Sequence, residues 1–254
     1  MSLLYKPGAW TLRTSLGRGF YAPTPFVEEI EAAGLSRLAP LQGLDAETAT
    51  TASFDLGYAA DAWEANLALF ASEIEHAVRL ADIAPAADGA ARVRLVNVAG
   101  ATRTHGAEAL LRRRWQDIVV TASYVFTDAT EPLADRAGRR RVPLTPRHTA
   151  GLVAMWERHG RGRVGLEAYY TGRQSLDDNP YRRSGRPYVE LGALGEIDFG
   201  GASVFLNLEN ILNVRQTGYH RLTLPQRAAD GRWTVDAWAP TDGFVVNGGV
   251  RIRF

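Results

Sequence analysis

Apolar and polar residues alternate with period two along most of this chain, in short runs separated by turns and loops, the signature of strands with two unlike faces. The clearest run is 243–254. There Phe244, Val246, Val250, Ile252 and Phe254 fall on one face, with Val245, Asn247, Gly249, Arg251 and Arg253 on the other. The same alternation puts Trp10, Leu12, Leu16 and Phe20 on one face of 10–21, and Thr50, Ala52, Phe54, Leu56 and Tyr58 on one face of 47–59. It returns from Trp63 through Leu69, from Arg103 to Trp115, and at Val120, Ala122, Tyr124 and Phe126. Further strands follow at 147–158, at Val164 to Thr171, at Val189 to Phe199 and at Val204 to Leu208. With a stub at 3–6, this predicts ten full strands and part of another.

Two stretches break the pattern. At 22–45, Thr24 and Pro25 with Glu28 and Glu29 have the makings of a helix start, predicting one short helix that ends near Gly34. At 68–80 the composition suits a helix, with Phe70, Ile74, Ala77 and Val78 spaced to line one side. Its position between strands favours a strand that runs into a loop. The connections carry a second pattern. Turns of two to four residues, such as Gln116-Asp117 and Gly200-Gly201, alternate with connections of roughly a dozen to thirty residues. Short turns on one rim and long loops on the other is the asymmetry of an outer-membrane β-barrel, whose apolar face meets lipid and whose polar face meets a wet lumen. A soluble sandwich gives no reason for it.

Composition narrows the choice. The chain has 254 residues and a formal net charge of +1. That balance gives no field that points to nucleic acid. No apolar run approaches the ~20 residues a membrane helix needs, whereas barrel strands need only ~9–11. Cysteine is absent, which agrees with an exported protein without disulfides. The first seven residues lack a basic start, and Pro7 ends their apolar run, so they do not read as a signal peptide.

Several segments, in order, resemble TonB-dependent outer-membrane receptors. They are Ser15 to Thr24, Leu44 to Thr48 running on to Tyr58, Asn97 to Gly100 with Gly106 to Glu108, Asn207 to Gln216, and the closing Phe254. The resemblance implies the C-terminal half of a barrel of about 22 strands with a plugged lumen: an all-β antiparallel meander of ten to eleven strands filling residues 1–254. The family's plug, signal peptide, TonB-contacting box and first barrel half are then expected upstream, and the chain is expected to be a fragment. The implied activity is TonB-energised import of a scarce ligand, with a ferric siderophore ahead of vitamin B12, haem or a glycan. A passive pore is the alternative and a barrel enzyme the least favoured. Ser203 has no Gly-x-Ser-x-Gly setting, and no glycine-rich phosphate loop follows a strand. The resemblance also implies the barrel-assembly machinery, outer-membrane lipid and lipopolysaccharide as partners.

Candidate residues follow from the topology. Arg139, Arg140, Arg141, Arg182, Arg183 and Arg186 fall in long loops, where positive charge attracts an anionic metal complex, holds lipopolysaccharide phosphates or simply stays solvated. Arg163, Glu167, Tyr169, Glu209 and Arg251 point inward and read as a hydrogen-bonded lumen wall or as contacts to a plug. Trp63, Trp115, Trp156, Tyr124 and Tyr170 suit interfacial girdles. Asp177-Asp178-Asn179 reads as a turn before it reads as a calcium site. The five histidines show no metal-ligand spacing, and neither metal nor cofactor is expected. Val250, Ile252 and Phe254, on the lipid face, are expected to be an assembly signal.

Overall fold

The protein is described from a computed structural model covering residues 1–24, 37–84, 92–133, 137–227 and 231–252. The helix expected after Thr24, and Phe254, lie outside the described residues. Strands β1 (Ser2–Tyr5), β2 (Trp10–Tyr21), β3 (Glu47–Ala60) and β4 (Trp63–Glu75) open the chain. A loop hairpin of β5 (Val78–Ile83) and β6 (Arg92–Asn97) precedes β7 (Thr102–Trp115) and β8 (Ile118–Pro132). The short β9 (Arg139–Arg141) is followed by β10 (His148–Arg158), β11 (Gly162–Thr171), β12 (Tyr188–Asp198) and β13 (Ala202–Glu209). A second loop hairpin of β14 (Thr223–Arg227) and β15 (Trp233–Val235) leads to β16 (Val245–Ile252).

One twelve-stranded sheet runs β1-β2-β3-β4-β7-β8-β10-β11-β12-β13-β16, with β9 added beside β8. Every pair in it is antiparallel, and it does not close on itself: β1 and β16 are its two ends. The ten strands and stub read from alternation are these eleven. The stretch at 68–80 is strand up to Glu75. Its remainder is not loop but the start of β5, set off by His76 at φ 59°. One parallel bridge, Leu38 with Val93, lies outside the sheet.

Register explains the two faces. Trp10, Tyr58, Ala65, Leu111, Ala122, Leu152, Ala168 and Leu191 are successive partners across eight strands, so they share one face. One residue along, Thr11, Gly57, Asn66, Leu110, Ser123, Gly151, Tyr169 and Glu190 form the matching row on the other. The apolar face is uncovered: Leu166 is 60% exposed and Val250 64%. Among the described residues only Ala39, Val93, Leu95, Ala129 and Trp238 are buried hydrophobics, and none of them sits on that face. A water-soluble fold would bury this face. A membrane strand leaves it for lipid.

Tight turns at 61–62 and 116–117 join β3 to β4 and β7 to β8, with Asp61 and Gln116 in the left-handed region at φ 49° and 51°. All the long connections emerge on the opposite rim, where the two loop hairpins and β9 stand.

Candidate functional site

On the long-loop rim, β9 pairs with the end of β8, placing Arg140 opposite Glu131 on the polar face. The Glu131 side chain is only 7% exposed. It accepts Arg140 Nε at 2.7 Å and also pairs with Arg79 of β5. Arg140 meets Asp177 as well, with Nη2 2.8 Å from Oδ2, so one guanidinium spans two carboxylates. Asp177 foremost, with Glu131 behind it, holds Arg140 charged above its ordinary range against the opposing effect of burial. On the apolar face Arg139 donates to the Thr130 and Ala101 carbonyls at 2.9 Å, and Arg141 reaches Asp128 at 3.4 Å.

The other predicted arginines, on the 172–187 loop, are placed differently. Arg182 lies over the Trp238 ring at 5.0 Å and Arg186 over Tyr219 at 5.0 Å. Arg183 stands beside them and lends its carbonyl to the Leu176 N–H at 3.1 Å. Among the described residues none of these three pairs with a carboxylate. Tyr219 and His220 pack against Trp238 at 5.9 and 5.8 Å, and Arg221 covers Tyr181 at 5.6 Å. Arg182 Nε, Tyr219 Oη and Trp238 Nε1 are buried without a partner among the described residues. Burial pushes the Tyr219 phenol up, with Arg186 and Arg182 pulling the other way.

The sequence reading missed the centre of this cluster. Gln216 is 0% exposed. It donates to the Asp236 carbonyl at 2.7 Å and accepts the Trp238 backbone N–H at 2.8 Å, and so holds the backbone that carries the indole. Gln174 binds the Trp238 carbonyl from the 172–187 loop. Trp238 sits between distant loops with no periodic pattern around it, so only its size marked it. Asp177-Asp178-Asn179 is a turn: Asp178 has φ 45°, and Asn179 Oδ1 accepts the N–H groups of Tyr181 and Arg182 at 2.9 and 3.1 Å. No group of three His, Asp or Glu side chains gathers as a metal site among the described residues.

The inward residues form a wall. Glu196 accepts Ser203 Oγ at 2.7 Å, Arg163 Nη2 at 2.7 Å and Arg251 Nη1 at 3.1 Å. Tyr169 donates to Glu167 at 3.1 Å, while Asn207 and Asn247 both donate to Glu209, at 2.7 and 3.0 Å. On the opposite face Trp63, Trp115 and Trp156 end the apolar band at the short-turn rim, with Arg113 over Trp63 at 4.6 Å. Tyr124 and Tyr170 share one register row nearer the long loops. Val250 pairs with Val204, and Ile252 with Ala202, on that apolar face.

Comparison with known proteins agrees with this architecture. Residues 1–211 match the model of the TonB-dependent receptor-like β-barrel family. No curated relative matches the chain. Among solved structures, the fold resembles the ferric enterobactin receptor PfeA of Pseudomonas aeruginosa, in complex with enterobactin. The TM-score is 0.72 at 16% identity, over 98% of this chain and 39% of that one. It also resembles the copper transporter OprC (TM-score 0.69, 15% identity, 100% and 39% covered). A third likeness is to the FrpB iron transporter of Neisseria meningitidis (TM-score 0.69, 14% identity, 100% and 39% covered). At such identities the likeness speaks for the fold alone. The chain spans about two fifths of the length of these structures.

Proposed function

This chain belongs to the TonB-dependent receptor family through its β-barrel, and from that premise we propose that it is the C-terminal half of an outer-membrane importer of a ferric siderophore. The family and fold are those of receptors and transporters rather than enzymes. The observation that carries the ligand class is the long-loop cluster. Arg182 and Arg186 are held over aromatic rings with no carboxylate partner among the described residues, and Arg183 stands beside them. Guanidinium groups without a carboxylate partner at a rim draw in an anionic complex and bind it through N–H donors. The rings beneath match the planar aromatic groups of a catecholate.

In this reading the inward wall around Glu196, Glu167 and Glu209 faces a plug supplied upstream, energy comes from TonB through that part, and the closing strand is read by the assembly machinery. The ring of loops is the receptor's mouth. The test is uptake and binding of a ferric catecholate by cells carrying the complete gene. Arg182→Ala with Arg186→Ala is expected to weaken binding at least ~10-fold, as loss of two charge-assisted contacts implies, while surface abundance holds. Undiminished binding would remove this cluster from the ligand site. Uptake that persists without TonB would point to a passive pore. Rescue by vitamin B12, haem or a glycan in place of iron would reassign the ligand.

A further inference from the structure

Around Trp238 the main chain is paired on both sides, and the side chains are not. The Trp238 backbone N–H goes to Gln216 Oε1 at 2.8 Å, and its carbonyl takes Gln174 Nε2. The Gln216 backbone N–H in turn donates to the Pro240 carbonyl at 2.8 Å. Yet three donors of one stack, Arg182 Nε, Tyr219 Oη and Trp238 Nε1, are buried with no acceptor among the described residues. The stack is close. Arg182 lies 5.0 Å over the indole, Tyr219 packs 5.9 Å from it, and Arg186 lies 5.0 Å over Tyr219. Trp238 is 3% exposed, so bulk water does not serve its indole N–H. Buried polar groups of folded proteins are nearly always paired, and three orphans in one cluster ask for a common acceptor.

We propose that these donors hold a halide-sized monovalent anion, which pins the 211–242 segment to the 172–187 loop. The make-up of the set gives the sign of the ligand. An indole N–H and a guanidinium N–H only donate. Burial pushes the Tyr219 phenol up, so it keeps its proton and donates too. Arg182 adds a full positive charge and pairs with no carboxylate among the described residues. Asp236, the carboxylate of the same stretch, accepts Asn179 Nδ2 at 2.5 Å instead. A water accepts from two donors at most and leaves the guanidinium charge uncompensated. An anion accepts from all three and cancels the charge, at a dry site where both effects are strengthened. One partly buried cation calls for a single negative charge, and donors from three separate side chains suit a sphere better than a planar or tetrahedral oxyanion. The site uses the buried edge of Arg182 and the two ring donors, not the exposed Arg183 and Arg186. It does not depend on which ligand the receptor imports.

The test uses the complete receptor, purified in detergent, with chloride and bromide as probes. Gluconate, too large for a site closed by Trp238, replaces them at constant ionic strength. Hydrogen exchange of peptides within 174–185 and 211–227 reads the loops, and peptides within 150–170 serve as reference. At ten times its dissociation constant, chloride should slow loop exchange about tenfold, because it binds only the closed cluster. The reference peptides should not change. In crystals, bromide should give an anomalous peak within hydrogen-bond reach of Trp238 Nε1 and Arg182 Nε. Tyr219→Phe with Trp238→Phe keeps aromatic rings in place, removes two donors and should erase the difference between chloride and gluconate. Tyr170→Phe, on the apolar face, should leave it intact. Equal loop exchange in the two salts overturns the proposal and gives the donors to water, and a double variant that keeps the difference overturns it too. Protection that only a ferric catecholate confers also overturns it, and hands the donors to the ligand proposed above. Should the double variant not fold, the salt dependence of the unaltered protein and the position of the bromide decide.

Discussion

Glu131 and Gln216 carry more of the loop architecture than any of the arginines first picked out from the sequence. Glu131 is nearly buried between two cations, so removing it leaves Arg79 and Arg140 facing each other. Glu131→Ala should destabilise the loop rim by about 1–3 kcal/mol, the range for stripping a partner from a charged hydrogen bond, discounted because both arginines are about a third exposed. The measurement is hydrogen exchange, with faster exchange expected in 139–141 and 173–185 while the strands keep their protection. The exposed Arg112–Glu64 pair, 37% and 61% exposed, should by contrast cost under ~1 kcal/mol on removal. Gln216→Ala should free Trp238, seen as a red shift of indole fluorescence and a weaker ligand complex. Tyr219 adds a pH dependence. Because burial raises its pKa, the unfolded loop gives up that proton first, and loop stability should fall as pH climbs through about 10. Tyr219→Phe should abolish the alkaline loss of loop protection.

At the scale of elements, the eleven-strand order was legible because an uncovered sheet must alternate along its whole length, and nothing else in the chain competes with that signal. What was missed lies in the loops. The hairpin of β5 and β6 does alternate, with Val93 and Leu95 buried between Arg92, Arg94 and the next strand, but it is only six residues long on each side. It is also cut from β4 by His76, a non-glycine in the left-handed region where glycine or proline usually marks the break. The hairpin of β14 and β15 is shorter and holds Pro225, which argues against a strand. The candidate site was half legible for a related reason. Alternation locates a residue on a face or in a loop, but Arg140 finds its carboxylates at Glu131 and Asp177, nine and thirty-seven residues away. Sequence spacing holds no trace of that. The strand starts make a sharper prediction. Gly162 opens β11 at φ 141°, and a Cβ there would stand 2.1 Å from the Glu196 carbonyl. Gly162→Ala should therefore displace β12 at the site of the Glu196 network and lower the amount of folded, heat-modifiable barrel. Arg163→Ala, which removes one partner from that network and leaves the backbone intact, should not.

For the whole molecule, the sheet is open, with β1 and β16 as its two ends; as the half-barrel proposed above, it would draw its stability from the barrel it completes. The closing strand places Val250 and Ile252 outward. Phe254 lies outside the described residues, and the alternation assigns it to the same side. Burying one phenylalanine is worth ~1.5–3 kcal/mol, too little to decide whether a large barrel stays folded. Deleting Phe254 from the full receptor should therefore reduce the number of molecules in the outer membrane while those present bind ligand normally. Counting surface receptors and measuring affinity in the same cells separates the two, and unchanged numbers with weaker affinity would reverse the assignment of that face.

The long-loop rim of this sheet is tied from one loop to the next. Asp45 and Asn97 exchange bonds at 2.8 and 3.0 Å, Arg79 and Arg140 share Glu131, Arg140 holds Asp177, and Asn179 reaches Asp236 at 2.5 Å. Such loops are inherited as a set. A recombination or graft that brings in one loop from another receptor breaks the pairs that loop makes with its neighbours and orphans their other halves. Variation that changes ligand choice then has two open routes, exchange of the whole crown or single substitutions such as those at Arg182 and Arg186, which pair with no carboxylate among the described residues.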